Sequence, residues 1–494
     1  MTDASNITLP CAHTFHGTCV AGLRKFGVQQ SCPLCREALP PGPEKVCEEA
    51  TRRYMVICRL VEEGRGSWSE LLTSEQRGID AVLRGWRAAA NEGYAKAQFN
   101  LGVVYWTGHG VVQSDEEAAQ WYQKAAEQGH TCAQYNLGNI FENGHGVELS
   151  DMEAVRWYTK AAEQDCADAQ LHLGNMFADG RGVAQSDEEA ARWYQKAAEQ
   201  GYAKAQYILG VLLTNGRGVA QSDKEAARWY QKAAEQGHVG AQFILGLMFE
   251  IGRGVVQSDK KAARWYTKAA EQRDASAQYN LGEMYSDGRG VVQSDKKAAR
   301  WYTKAAEHGC AKAQLHLGNM YEGGNGVAQS DEEAARWYQK AAEQGYAKAQ
   351  YTLGVLLTNG RGVAQSDEEA ARWYQKAAEQ GNAKAQYTLG VLLTNGRGVA
   401  QSDKGAAWWY TKAAEQGYDV KAQYDLEVML EDCRRTAQST KEAIRGYMKA
   451  AEQEYAKVLS TLEILHTNGR GAALSDAEAA RWSKNAPEQG AVDS

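Results

Sequence analysis

Apolar and polar residues follow two superimposed rhythms along most of this chain. In the short one, Ala203, Ala205, Leu209, Gly210 and Leu213 recur at steps of one to four residues, so small and branched apolar side chains share one helical face. Asn215-Gly216-Arg217-Gly218 predicts the end of that helix, because glycine enters the left-handed cap without a Cβ penalty. Ser222 with Asp223 opens a second helix, and in the neighbouring unit Ser186 and Glu189 have the S-x-x-E form of a capping box. That second helix carries Ala190, Trp193, Tyr194, Ala197 and Ala198 on one face. Glu188 and Arg192 are placed for an exposed i,i+4 pair.

The long rhythm is a fixed period. Trp121, Trp157, Trp193, Trp229, Trp265, Trp301, Trp337, Trp373 and Trp409 stand 36 residues apart, and a Leu-Gly pair keeps the same spacing from Leu101-Gly102 to Leu389-Gly390. Self-similarity of this length signals a solenoid. We count eleven units over residues 95–491; in the last two, Leu426-Glu427 and Leu462-Glu463 replace Leu-Gly, and Gly446 replaces the tryptophan. A lone unit cannot bury enough surface to offset a backbone ordering cost of about 1–2 kcal/mol per residue, so stacking is obligatory. The small residues are expected to let helix backbones approach, and the aromatics to fill the joints between hairpins. Residues 44–94 read as linker helices and a solenoid cap, with one long helix over about Lys45 to Glu63 ended by Gly64-Arg65-Gly66 and another from about Ser74.

The units carry A-x-A-Q-x-x-L-G, then G-x-G-V, then A-A-x-W-Y-x-K-A-A-E-Q-G. In these residues the chain resembles the Sel-one-like repeat (SLR), a relative of the tetratricopeptide repeat. The resemblance implies an all-α fold: a right-handed α-solenoid of antiparallel helix pairs whose concave side holds protein partners. It implies no catalytic site.

Chemistry of another kind sits at the head of the chain. Cys11, His13, His16 and Cys19 form C-x-H-x-x-H-x-x-C, and after twelve residues Cys32 and Cys35 form C-x-x-C. Thiolates and imidazoles at such spacing are zinc ligands. The array resembles the RING finger of ubiquitin-protein ligases, which binds two ions in a cross-brace. That resemblance implies a small zinc-binding RING-like module over residues 1–40. Cys11, His13, Cys32 and Cys35 would complete one site, while His16 and Cys19 would form an incomplete one, since Met1 to Pro10 contain no further ligand pair. It also implies that Leu23, Pro33 and Arg36 meet a ubiquitin-conjugating enzyme, with Arg36 favouring the reactive pose by orientation alone. A single ion held by His16, Cys19, Cys32 and Cys35 is the other assignment the spacing allows. Cys47 and Cys58 lie eleven residues apart on a predicted helix and cannot share an ion there.

Composition narrows the rest. The formal net charge of -7 is mild and mixed, which argues against a general nucleic-acid binder. The first residues lack an apolar leader and no stretch is long enough for a membrane span, so a cytoplasmic setting is expected. Five of the six prolines fall at or before Pro43, leaving the middle free for helices. The arginines at 192, 228, 264, 300, 336 and 372 read as a solvated face paired with glutamates. Cys132, Cys166 and Cys310 read as tolerated substitutions, and His172 and His316 as packing variants. The leading expectation is a RING-type ubiquitin ligase whose solenoid recruits a substrate or complex subunits. The alternative is a non-catalytic interaction scaffold with a remnant zinc finger.

Overall fold

The repeat motif becomes a helix hairpin because a left-handed glycine closes the first helix of each repeat and a serine caps the start of the second, as Gly216 and Ser222 do. In the computed structural model, residues 6–8, 14–16, 41–63, 68 and 73–416 are described. The chain divides into two compact units, 1–257 and 258–494.

Unit 1 begins with strands β1 (Asn6–Thr8) and β2 (Thr14–His16), paired antiparallel with Ile7 opposite Phe15. Helices α1 (Pro43–Glu62) and α2 (Thr73–Asn91) follow. Next come α3 (Ala95–Thr107), α4 (Asp115–Glu127), α5 (Thr131–Asn143), α6 (Asp151–Glu163) and α7 (Ala167–Asp179). The unit closes with α8 (Asp187–Glu199), α9 (Ala203–Asn215), α10 (Asp223–Glu235) and α11 (Val239–Ile251). Unit 2 holds α12 (Asp259–Glu271), α13 (Ala275–Asp287), α14 (Asp295–Glu307), α15 (Ala311–Gly323) and α16 (Asp331–Glu343). It continues with α17 (Ala347–Asn359), α18 (Asp367–Glu379), α19 (Ala383–Asn395) and α20 (Asp403–Glu415). From α3 on, the odd-numbered helices start a repeat and are called A helices; the even-numbered B helices finish it. Within each unit every A helix packs on its neighbouring B helices, so each unit is a segment of α-solenoid.

The predicted stop and start signals operate as expected. Gly216 takes the left-handed cap of α9 at φ 67° and donates its N–H to the Leu212 carbonyl. Ser222 caps α10 by accepting from the Glu225 N–H at 3.3 Å. Only half of the predicted capping box forms: Ser186 accepts from the Glu189 N–H, but its own N–H goes to the Phe177 carbonyl. The Glu189 carboxylate is therefore released to Arg192, which it meets at 3.2 Å. The predicted Glu188–Arg192 pair is thus displaced by an i,i+3 pair.

Packing inside the hairpin corrects one expectation. The glycine of Leu-Gly admits a ring, not a helix backbone: a Cβ on Gly210 would lie 2.7 Å from Tyr230 Cε1. Tyrosine fills the joint inside each hairpin, and tryptophan the joint to the preceding repeat. Trp157, for example, is buried with Tyr105, Ala118 and Tyr122 of the repeat before it. Over each of eight such tryptophans stands a lysine, as Lys196 does over Trp193 at 4.2 Å.

Two polar devices tie repeat to repeat. Buried Gln206 donates from Nε2 to the Ala198 carbonyl of the preceding B helix at 3.0 Å, and its Oε1 accepts from Gln236 at 2.8 Å. A buried amide satisfied on both sides contributes net stability, whereas an apolar replacement would orphan a carbonyl at about 1–3 kcal/mol. The G-x-G loop supplies the second tie. Gly218 sits so close to Asp187 of the preceding repeat that a Cβ would fall 2.0 Å from its carbonyl oxygen. Between the glycines, Arg217 reaches the Asp187 carboxylate at 2.8 Å. Arg253–Asp223, Arg361–Asp331 and Arg397–Asp367 repeat this clip at 3.0, 2.8 and 2.8 Å.

Helices α1 and α2 stand where two helices were expected. Cys47, Ala50 and Ile57 of α1 bury against Ile79, Val82, Leu83 and Trp86 of α2 and against Ala97 and Leu101 of α3. Helix α1 is unbroken from Pro43 to Glu62, so Cys47 and Cys58 stay apart as expected. Gly64-Arg65-Gly66, and the two degenerate repeats placed beyond residue 416, lie outside the described residues.

Candidate interaction surface

The zinc candidates do not contribute to the described geometry. Cys11, His13, Cys19, Cys32 and Cys35, with Leu23, Pro33 and Arg36, lie outside the described residues; His16 is described only by its backbone, as the last residue of β2. Among the described residues no group of three or more His, Cys, Asp or Glu is placed to hold a metal ion. No described helix is long and apolar enough to cross a membrane.

What the described residues offer is a stripe along the A helices. The third, fourth, seventh and eighth residues of each A helix are Ala, Gln, Leu and Gly, which face inward, as Ala205, Gln206, Leu209 and Gly210 do. The fifth, sixth and ninth fall on the opposite side and are mostly half-buried. The inward set is constant through nine repeats. The outer set changes: its sixth position reads Asn100, Asn136, His172, Ile208, Ile244, Asn280, His316, Thr352 and Thr388.

Two polar clusters stand on this stripe. In unit 1 the Glu142 carboxylate accepts from Tyr158 Oη at 2.7 Å and from Arg181 Nη2 at 2.6 Å, and lies 3.2 Å from His172 Nδ1. The His172 hydrogen bond, together with those of Tyr158 and Arg181, overcomes the cost of burial and pulls the Glu142 carboxyl down to about 2. Burial first, and then the carboxylate, pushes the Tyr158 hydroxyl well up. In unit 2 Glu283 accepts from Tyr302, and its carboxylate lies 3.5 Å from His316 Nδ1. Burial holds His316 below the usual imidazole range, with Glu283 opposing.

His172 and His316, read from sequence as packing variants, are thus both packed and bonded. Their carboxylate partners were missed, because Glu142 and Glu283 come from different positions of the repeat. The clip arginines were missed too; their regular place between two glycines was the signal. In the arginine row that was singled out, Arg192, Arg336 and Arg372 are exposed and pair with glutamates on their own helices, whereas Arg264 and Arg300 have lysines three and four residues before them in place of glutamates. Cys166 and Cys310 occupy the N-cap positions of α7 and α15 without a side-chain cap bond, consistent with tolerated substitutions. Tyr202 is half-buried and donates to Asp168.

The Sel1 repeat family matches the chain nine times in succession: residues 95–130, 133–166, 167–202, 203–238, 239–274, 275–310, 311–346, 347–382 and 383–418. The chain belongs to the Sel1 repeat family. A solved Sel1-type structure from uropathogenic Escherichia coli, a protective antigen displaying an SLR fold, is 33% identical with a TM-score of 0.60. The match covers 83% of this chain and 99% of that one. A Sel1 repeat protein from Oxalobacter formigenes is 36% identical with a TM-score of 0.52, covering 63% of this chain and 90% of that one. No curated protein matches this chain. Sel1 repeat membership accounts for the constant inward set; the outer set of the A helices changes from one repeat of this array to the next.

Proposed function

We propose that this Sel1 protein is a protein–protein interaction scaffold that recognises its partners along the A-helix stripe. The observation that carries this reading is the contrast between constant inward residues and variable half-buried outer ones. Identical hairpins need no variation to stack, so variation along an accessible line is what a recognition surface requires. Cross-linking mass spectrometry of the full chain in its native cells tests it. Links to a partner are expected through A-helix lysines such as Lys204, Lys312 and Lys348, beside the stripe. Links confined to B-helix lysines such as Lys196 and Lys232 would overturn the assignment.

A second reading rests on the ligand spacing at the head. The donor set of thiolates and imidazoles suits zinc, with Cys11, His13, Cys32 and Cys35 as the complete set. Zinc there would supply folding energy, not chemistry, and Leu23, Pro33 and Arg36 would then present a surface to a ubiquitin-conjugating enzyme. One zinc per chain by elemental analysis, and ubiquitin chains formed with a matched conjugating enzyme but largely lost in Arg36→Ala, are the expected results. No chains across a panel of conjugating enzymes would leave the scaffold reading alone.

A further inference from the structure

The cluster on the stripe occurs twice, four repeats apart. Tyr135, Tyr158 and His172 of unit 1 correspond in the repeat to Tyr279, Tyr302 and His316 of unit 2. The rings keep their arrangement: Tyr135 meets His172 edge-on at 65°, and Tyr279 meets His316 at 65°. Tyr158 stacks on His172 at 27°, and Tyr302 on His316 at 27°.

The carboxylate is not simply copied. Glu142 is the twelfth residue of α5 and Glu283 the ninth of α13; the corresponding places hold Ser286 and Asn139. From different backbone positions, each reaches the same histidine nitrogen and the same tyrosine hydroxyl. The contact is recreated, which a purely structural copy would not need.

Its consequence is a fixed tautomer. In the neutral ring, an Nδ1–H turned to the carboxylate, 3.2 Å away at His172 and 3.5 Å at His316, leaves Nε2 as an acceptor. One helical turn further, Asn175 and Asn319 each accept from a tyrosine, Tyr194 and Tyr338, both at 2.7 Å. That fixes Oδ1 and leaves Nδ2 as a donor. Residues i and i+3 share a helix face. An acceptor and a donor about one turn apart match the N–H and C=O of an extended backbone. In unit 2 the Tyr279 hydroxyl lies 3.4 Å from Nε2, a long contact that an incoming N–H would replace.

The order of the stripe beyond each histidine also repeats. Half-buried Tyr207, Ile208 and Val211 follow in unit 1, and Tyr351, Thr352 and Val355 in unit 2. We propose that the chain carries two equivalent docking sites, one in each unit, each taking an extended segment of the same partner protein. Backbone groups of that segment meet His172 and Asn175, or His316 and Asn319, and its apolar side chains lie on the stripe that follows. One chain therefore binds two copies of the partner. This rests on the scaffold reading and adds the form of the bound segment and the stoichiometry.

A random-peptide phage library selected on the full-length protein supplies the probe, and calorimetry of a recovered synthetic peptide gives the stoichiometry. Two peptides per chain are expected, falling to one in either His172→Ala or His316→Ala and to none in the double variant. Asn175→Ala and Asn319→Ala, on accessible side chains, should each weaken their own site at least tenfold and carry the test if the histidine variants do not fold. One peptide per chain in the unsubstituted protein, or binding that survives the double variants, overturns the paired sites and leaves the scaffold intact. Recovery of no binding peptide overturns both.

Discussion

The cluster around His172 and the cluster around His316 share their rings but differ in charge. In unit 1 the carboxylate also holds a guanidinium: Arg181 lies 2.6 Å from Glu142 and 3.8 Å from Asp151. At the corresponding loop position unit 2 has Asn325. The Glu142 side chain is accordingly only 12% exposed, against 29% for Glu283. One ring frame therefore supports two electrostatic designs, a closed carboxylate with three donors and a more open one without arginine. The difference shows that the tyrosine and histidine positions, not the net charge, are the common element of the two clusters.

Removing the charge should separate them most. Glu142→Gln removes the charge and turns one of the two acceptor oxygens into an NH2 donor, so either Arg181 or His172 loses its acceptor, and we expect a loss of about 2–3 kcal/mol in urea denaturation at neutral pH. Glu283→Gln, more exposed and unpaired with arginine, should lose about 1 kcal/mol. Near-equal losses would remove the distinction.

Acid should erase the larger difference. The folded Glu142 carboxyl is held at about 2, below its unfolded value of about 4.3, so its contribution is complete above the unfolded value and is lost as pH falls toward the folded one. Wild type and Glu142→Gln should therefore converge in stability from about pH 4.5 down to pH 2. A gap that stays constant through that window would show that the carboxylate is not held as its three partners imply.

Exchanging the loop residues should convert one design into the other on a smaller scale. Arg181→Asn removes one charge-assisted bond and should cost about 1.5–2 kcal/mol, while the Glu142 carboxyl moves upward in an NMR titration. Asn325→Arg puts a guanidinium where Arg217 and Arg361 make their clips, within reach of Asp295. A gain of up to about 1 kcal/mol is expected, since the pair would be solvent-facing.

How far this was readable in advance depends on the range of the interaction. Helix starts at Ser186 and Ser222, the stop at Gly216 and the helices α1 and α2 were legible, because they follow from local hydrogen bonding and periodic burial. The capping box was half wrong because Glu189 had a better partner in Arg192 than in the Ser186 N–H, a competition a motif does not display. The stripe clusters were not legible. His172 meets Glu142 thirty residues away and Arg181 meets it thirty-nine residues away, and only stacking of successive repeats brings them together. The carboxylates also occupy unequal repeat positions, so aligning the repeats alone hides the pairing.

The smallest contrast between the units is a backbone one. After each B helix the chain turns through a left-handed residue, glycine in most repeats, as Gly201 at φ 93°. Unit 1 places Asp165 there at φ 61°, and unit 2 places Arg273 at φ 69°. A Cβ added to Gly201, Gly237 or Gly309 meets nothing within 4 Å, so the penalty at this position comes from backbone conformation and not from crowding. A left-handed non-glycine residue costs roughly 1–2 kcal/mol, part of which glycine gives back through the larger entropy of its unfolded state. Arg273→Gly should gain about 1 kcal/mol. Asp165→Gly should gain about half as much, because a short polar side chain adopts this region more readily than a long one. Urea denaturation of the two variants checks the order, and a loss of stability in Arg273→Gly would mean that its side chain contributes more than its backbone costs.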